Sequence, residues 1–153
     1  MYFITVILLT VVLPIGAALV ELHYGGGAPI LVVGRWFVFW AVGVRLLLAG
    51  LRRALRPQST ARTVFDAAGE ESLPIMQELG FAYLAIATIG LVSLGSIGFL
   101  VPAALVGVVY YGLAGAAHLF GKKRAPHRLF AMATDIFVFL ALAACVVSTV
   151  AAY

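Results

Sequence analysis

Cysteine is nearly missing from this chain. The single Cys145, in the last apolar stretch, has no partner for an internal disulfide, and no Cys/His ligand spacing occurs. A buried, inert thiol is the expectation. Three histidines, His23, His118 and His127, are too scattered to form a local metal motif. There is no Ser-His-Asp arrangement and no phosphate-binding glycine loop. The sequence therefore predicts no metal, no cofactor and no catalytic residues. Charge is scarce as well. Only 10% of the 153 residues are Asp, Glu, Lys or Arg, against about a quarter in a soluble domain. Hydrophobic residues make up 64%. A soluble fold of this size has no means of hiding that much apolar surface, so the expected solvent is a lipid bilayer. The length suffices for one bundle over residues 1–153 and leaves no room for a separate soluble domain.

The formal net charge is +4 and the pI is near 9.6. Nucleic acid is not the expected partner, because the basic residues fall in two short clusters beside apolar segments, as in cytoplasmic membrane loops. Such clusters also attract anionic headgroups. The N-terminal run Met1-Tyr-Phe-Ile lacks the positive region of a signal peptide, and its apolar stretch continues to Val20. It reads as a retained first span.

Five apolar segments follow, at about 2–22, 30–51, 75–94, 97–120 and 128–151. They predict an all-α integral membrane bundle of five transmembrane helices. Four spans with a peripheral first segment is the alternative. Pro14 and Gly16 predict a kink in the first helix. His23 to Pro29 is a glycine-rich turn. Residues 57–73 are polar and mixed, and predict an interfacial piece with a short helix capped by Ser59 or Thr60. Ser72-Leu-Pro74 is a helix start. Gly80, Ala87 and Gly90, and the pair Gly112 and Ala116, provide small residues for close helix approach. There is no internal repeat.

Arg52, Arg53, Arg56 and Arg62 follow the second segment, and Lys122, Lys123 and Arg124 follow the fourth, with Arg128 opening the fifth. The connections after the first and third segments carry no Lys or Arg. The positive-inside rule then gives a cytoplasmic N-terminus and an outside C-terminus, in a bacterial inner membrane.

Arg45 is the most informative residue. It lies inside an apolar run, where a guanidinium costs ~2.5–3.5 kcal/mol at a helix centre. At 1.5 Å per residue, Arg45 and Asp135 each lie about 10 Å from the cytoplasmic boundary, Glu78 about 6 Å and His118 about 5 Å. Four helices thus offer Arg, Asp, Glu and His to one layer. An arginine fork accepts two carboxylates, and a lone buried acid takes up a proton. Tyr111 lies seven residues before His118 on the same face, and Tyr83 is expected to join from the third segment. At the other boundary Glu21 and Arg35 are expected to pair across the glycine turn, as a rim salt bridge. Trp36, Phe37, Phe39 and Trp40 read as an interfacial aromatic belt.

The stretches Arg35-Trp-Phe-Val-Phe-Trp-Ala-Val-Gly-Val-Arg45, Glu78-Leu-Gly-Phe-Ala-Tyr-Leu-Ala and Tyr111-Gly-Leu-Ala-Gly-Ala-Ala-His-Leu119 resemble a family of small bacterial polytopic membrane proteins. That family is catalogued only as a domain of unknown function, and is distantly similar to the DoxX-like four-helix membrane proteins. The resemblance runs from about Arg35 to Asp135. It implies that Arg45, Glu78, His118 and Asp135 belong to recurring motifs. DoxX-like proteins are linked to respiratory or thiol-redox membrane complexes, but this chain has no cysteine pair for exchange and no histidine pair for haem.

Two functions remain open. One is a binding or transport module for a small molecule, a lipid headgroup or a proton, built on Arg45, Glu78, His118 and Asp135. The other is a structural or accessory subunit, in a homo-oligomer or a larger membrane complex, whose charges only hold the bundle together.

Overall fold

The computed structural model describes residues 2–58, 72–120 and 126–151. Among them the chain is all-helical, with five helices long and apolar enough to cross a membrane. They are α1 (Phe3–His23), α2 (Pro29–Leu55), α3 (Ser72–Val92), α4 (Leu100–Phe120, entered through the 3₁₀ turn Ile97–Phe99) and α5 (Pro126–Val150). Helix α2 is longer than its apolar run, because Arg52 and Arg53 continue it to Leu55. Most of the expected interfacial piece, including Ser59 and Thr60, lies outside the described residues.

The outer surface has the character of the expected solvent. Ile4, Leu19, Ile75, Leu113, Leu140 and Val147 are all exposed, from four different helices. A water-soluble monomer does not present apolar surface on this scale. At 1.5 Å per residue a 21-residue helix such as α1 reaches about 31 Å, which matches a hydrocarbon core of about 30 Å.

Helix α2 is central and touches the other four. Its Phe37, Val38, Ala41, Val42 and Leu46 are buried against Tyr83 and Ala87 of α3, Leu100, Ala104 and Tyr111 of α4, and Val138 and Leu142 of α5. Phe37 is therefore core rather than belt, and its ring meets Phe137 edge-on at 5.7 Å.

Small residues set the approach distances. A Cβ on Gly90 would lie 2.6 Å from the Gly43 nitrogen, and one on Gly80 would lie 2.6 Å from the Ala54 nitrogen. These two contacts bring α2 and α3 together backbone to backbone. The α4–α5 seam runs antiparallel from Gly107 against Leu142, through Gly112 against Phe139, to Gly115 against Ile136. At the opposite end of the molecule Gly34 admits the Cys145 sulfur, which occupies the place of a Cβ. That thiol is buried, and it packs as a small apolar group.

Two stretches are wound wider than an α-helix. In α1 the stretch Leu8–Val12 is π-helical, and the Leu13 N–H reaches back five residues to the Leu8 carbonyl. Pro14 follows at once. It has no N–H to donate and its ring crowds the preceding turn, so the helix widens where a kink was expected. From this stretch the Thr10 hydroxyl donates to the Val6 carbonyl in the turn before it. The second stretch, Val38–Val44 of α2, contains no proline, and there the Arg45 N–H reaches the Trp40 carbonyl. The two wide stretches lie against each other.

Gly90→Ala is expected to lower stability by ~1–3 kcal/mol, because its new methyl group meets backbone that cannot rotate away. Gly16, with nothing within 4 Å of its Cβ position, is the control. Gly16→Ala is expected to be neutral or to stabilise by roughly 0.5–1 kcal/mol. Thermal unfolding in one detergent measures both, and equal effects at the two sites would contradict the proposed close approach.

Candidate functional site

The site is built from one stripe on each of three helices. On α5 the stripe is Asp135, Val138, Leu142 and Cys145, all buried, spaced at three and four residues on one helix face. Asp135 thus occupies a core position. On α4 the stripe is Ala104, Tyr111, Gly115 and His118. On α2 it is Val38, Ala41, Val42 and Arg45.

Arg45 and Asp135 meet directly. Arg45 Nη2 donates to Asp135 Oδ1 at 2.9 Å, with side chains only 15% and 8% exposed. The other carboxylate oxygen, Oδ2, lies 3.9 Å from His118 Nε2. That is too long for a hydrogen bond but well within electrostatic reach. His118 keeps 32% of its side chain exposed, so it connects a buried carboxylate to the outside of the bundle. Arg45 Nη1 is buried and has no hydrogen-bond partner among the described residues.

Tyr111 forms the floor. Its ring lies 5.2 Å from the guanidinium carbon of Arg45, a cation–π distance. The Tyr111 hydroxyl donates to the Ala41 carbonyl. The wide turn of α2 makes this bond available: in a regular α-helix the Arg45 N–H would take Ala41, but here it takes Trp40. The freed carbonyl and the buried hydroxyl satisfy each other. Wide turns of this kind recur at functional sites.

Tyr83 joins indirectly. It accepts a hydrogen bond from the Tyr110 hydroxyl at 2.6 Å, and the rings of Tyr83, Tyr110 and Tyr111 stand edge to face at 5.3 and 4.9 Å. Arg53 covers the far side of Tyr83 at 4.4 Å, while its Nη1 donates to the Ala49 carbonyl. Tyr110 and Arg53 are additions to the expected set. Tyr110 stands beside a residue already singled out, whereas Arg53 reads in the sequence as a loop cation.

Glu78 does not join. Its side chain is exposed, and it pairs with no cation among the described residues. The buried positions of α3 are Met76, Gly80, Tyr83, Ala87 and Gly90. Glu78 is two residues from both Met76 and Gly80, hence about 200° around the helix from each. Its depth matches the cluster, but its direction does not. Among the described residues Arg45 therefore has one carboxylate partner instead of two.

The second expected pair is present. Arg35 Nη2 bonds Glu21 Oε1, and the Trp36 indole N–H donates to Glu21 Oε2 at 2.7 Å. Trp36, expected only as an interface anchor, thus also orients the carboxylate.

Tyr111→Phe is expected to cost ~1–3 kcal/mol, the cost of leaving the buried Ala41 carbonyl without its donor. Tyr110→Phe loses one bond between two phenols and is expected to cost less, about 0.5–1.5 kcal/mol. Thermal unfolding of the two variants tests this order. No protein-family model, curated protein or solved structure matches the chain.

Proposed function

We propose that the chain is a multi-pass protein of a bacterial cytoplasmic membrane that binds a small polar ligand at Arg45, Asp135 and His118, and that this ligand is a proton. One observation carries the reading: a buried carboxylate lies between a buried guanidinium at 2.9 Å and a partly exposed imidazole at 3.9 Å. A headgroup or a metabolite needs a cavity beside Arg45, whereas a proton needs only a base and a route. His118 Nε2, once protonated, passes its proton to Asp135 Oδ2. The imidazole returns to neutral, the carboxylate becomes a carboxylic acid, and Arg45 keeps its charge without its counter-ion. The Lys and Arg pattern of the loops puts His118 on the cytoplasmic side. Intramembrane ionisable groups serve as proton relays elsewhere for the same physical reason.

The burial of Arg45 and Asp135 also favours a second reading, in which the pair only pins α2 to α5. The resemblance to DoxX-like proteins would fit such an accessory subunit. The two readings part at His118. Under the proton reading, vesicles carrying the protein take up protons, Asp135→Asn abolishes the uptake, and His118→Gln slows it with unchanged thermal stability. Under the pin reading His118→Gln has no effect. Arg45→Gln then destabilises by ~3–5 kcal/mol, and joint replacement of Arg45 and Asp135 by Leu restores stability. A pH-sensitive dye inside the vesicles and an unfolding curve give both answers, and wild-type vesicles that take up no protons would rule out the transport reading.

A further inference from the structure

At the other end of the molecule the Glu21–Arg35 pair lies in the wall of a small open cavity of about 130 Å³. Its remaining lining is Gly27, Ala28, Leu31, Val32 and Ile97. Ala28, Leu31, Val32 and Arg35 form one face of the start of α2. Gly27 belongs to the glycine turn, and Ile97 opens the 3₁₀ entry to α4. From this geometry we infer that the cavity binds the headgroup of a zwitterionic phospholipid bearing a primary ammonium, a phosphoethanolamine. This inference does not rest on the proton reading, because none of these residues belongs to that site.

Three observations support it. The cavity presents both signs of charge. A lone anion there meets Glu21 and a lone cation meets Arg35, whereas a zwitterion satisfies both. Bonding capacity also remains on each partner. Each Glu21 oxygen accepts one hydrogen bond, from Arg35 or from Trp36, and keeps a second lone pair for an ammonium N–H. The bond to Glu21 uses Arg35 Nη2, out of a fork of five donors. Finally, the rim is apolar and sits at headgroup level. Ile97 is 68% exposed, and Glu21 stands two residues from the end of a helix about as long as the hydrocarbon is thick. Acyl chains continue from such a mouth, which favours a lipid over a free zwitterion.

The test is thermal unfolding of the full chain in detergent, titrated with short-chain phosphatidylethanolamine, phosphatidylcholine and phosphatidylglycerol, and with free phosphoethanolamine. Phosphatidylethanolamine is expected to bind about tenfold more tightly than phosphatidylcholine, whose ammonium has no N–H to donate. Arg35→Gln is expected to weaken binding of every lipid. Ala28 is exposed, so Ala28→Phe fills the cavity, leaves the ion pair in place and is expected to remove the preference without lowering lipid-free stability. Equal binding of the three lipids, or an undiminished preference in Ala28→Phe, would overturn the proposal. Free phosphoethanolamine binding as tightly as the lipid would overturn the assignment to a lipid.

Discussion

An ionised guanidinium between apolar helices is tolerable only where an opposite charge meets it and its remaining surface is covered. Arg45 meets both conditions through two different helices. Asp135 supplies the charge from α5, and the Tyr111 ring supplies a polarisable face from α4. The requirement then propagates. Tyr111 is fully buried, so its hydroxyl needs an acceptor, and the wide turn of α2 provides one at Ala41. The same turn sets where Arg45 points. Charge, ring, hydroxyl and backbone carbonyl are thus successive solutions to one desolvation problem. A buried pair of this kind is not by itself a source of stability, because desolvation offsets most of the attraction. What it provides is a large penalty for any arrangement that separates α2 from α5.

The central place of α2 follows from the same constraint. A helix carrying a buried cation must be surrounded, and α2 touches all four others. Glycines allow that crowding. Gly43 and Gly50 meet Gly90 and Gly80 on α3, and Gly34 admits the Cys145 sulfur from α5. Between helices whose outward faces are themselves apolar, burial alone favours association little, so close packing and polar contacts must do so. Both are concentrated on α2.

Much of this is legible from residue order, and the boundary between legible and hidden is physical. Hydropathy and length locate five helices to within a few residues. Depth is linear in residue count, so Arg45 and Asp135 could be matched by counting from their loops. Glu21 and Arg35 are joined by a turn too short to keep them apart. Direction around a helix is harder, because it advances about 100° with every residue. Glu78 shares the depth of the cluster but lies on the wrong face, and only the positions of Met76, Gly80 and Tyr83 reveal it. Wide turns are harder still. Pro14 announces the one in α1, but nothing between Val38 and Val44 announces the other, whose freed carbonyl is matched by a residue on a different helix, Tyr111. Trp36 was recognisable as an interface residue, yet its hydrogen bond to Glu21 depends on how α1 and α2 cross.

His118 distinguishes a relay from a strut. A strut between α2 and α5 is complete with Arg45 and Asp135, and gains little from an imidazole 3.9 Å away on a third helix with a third of its surface exposed. A relay needs such a group, because a carboxylate that is 92% covered cannot exchange protons with water by itself. The separation is also informative. At hydrogen-bond distance the imidazole would be a fixed third member of the ion cluster. At 3.9 Å the imidazole stands off from the carboxylate while the Arg45–Asp135 bond is made. The tyrosines do not provide an equivalent route, since the hydroxyl of Tyr111 is committed to Ala41 and that of Tyr110 to Tyr83. Among the described groups beside the carboxylate, the His118 imidazole is more exposed than the Arg45 guanidinium, 32% against 15%, and the proposed relay rests on this asymmetry.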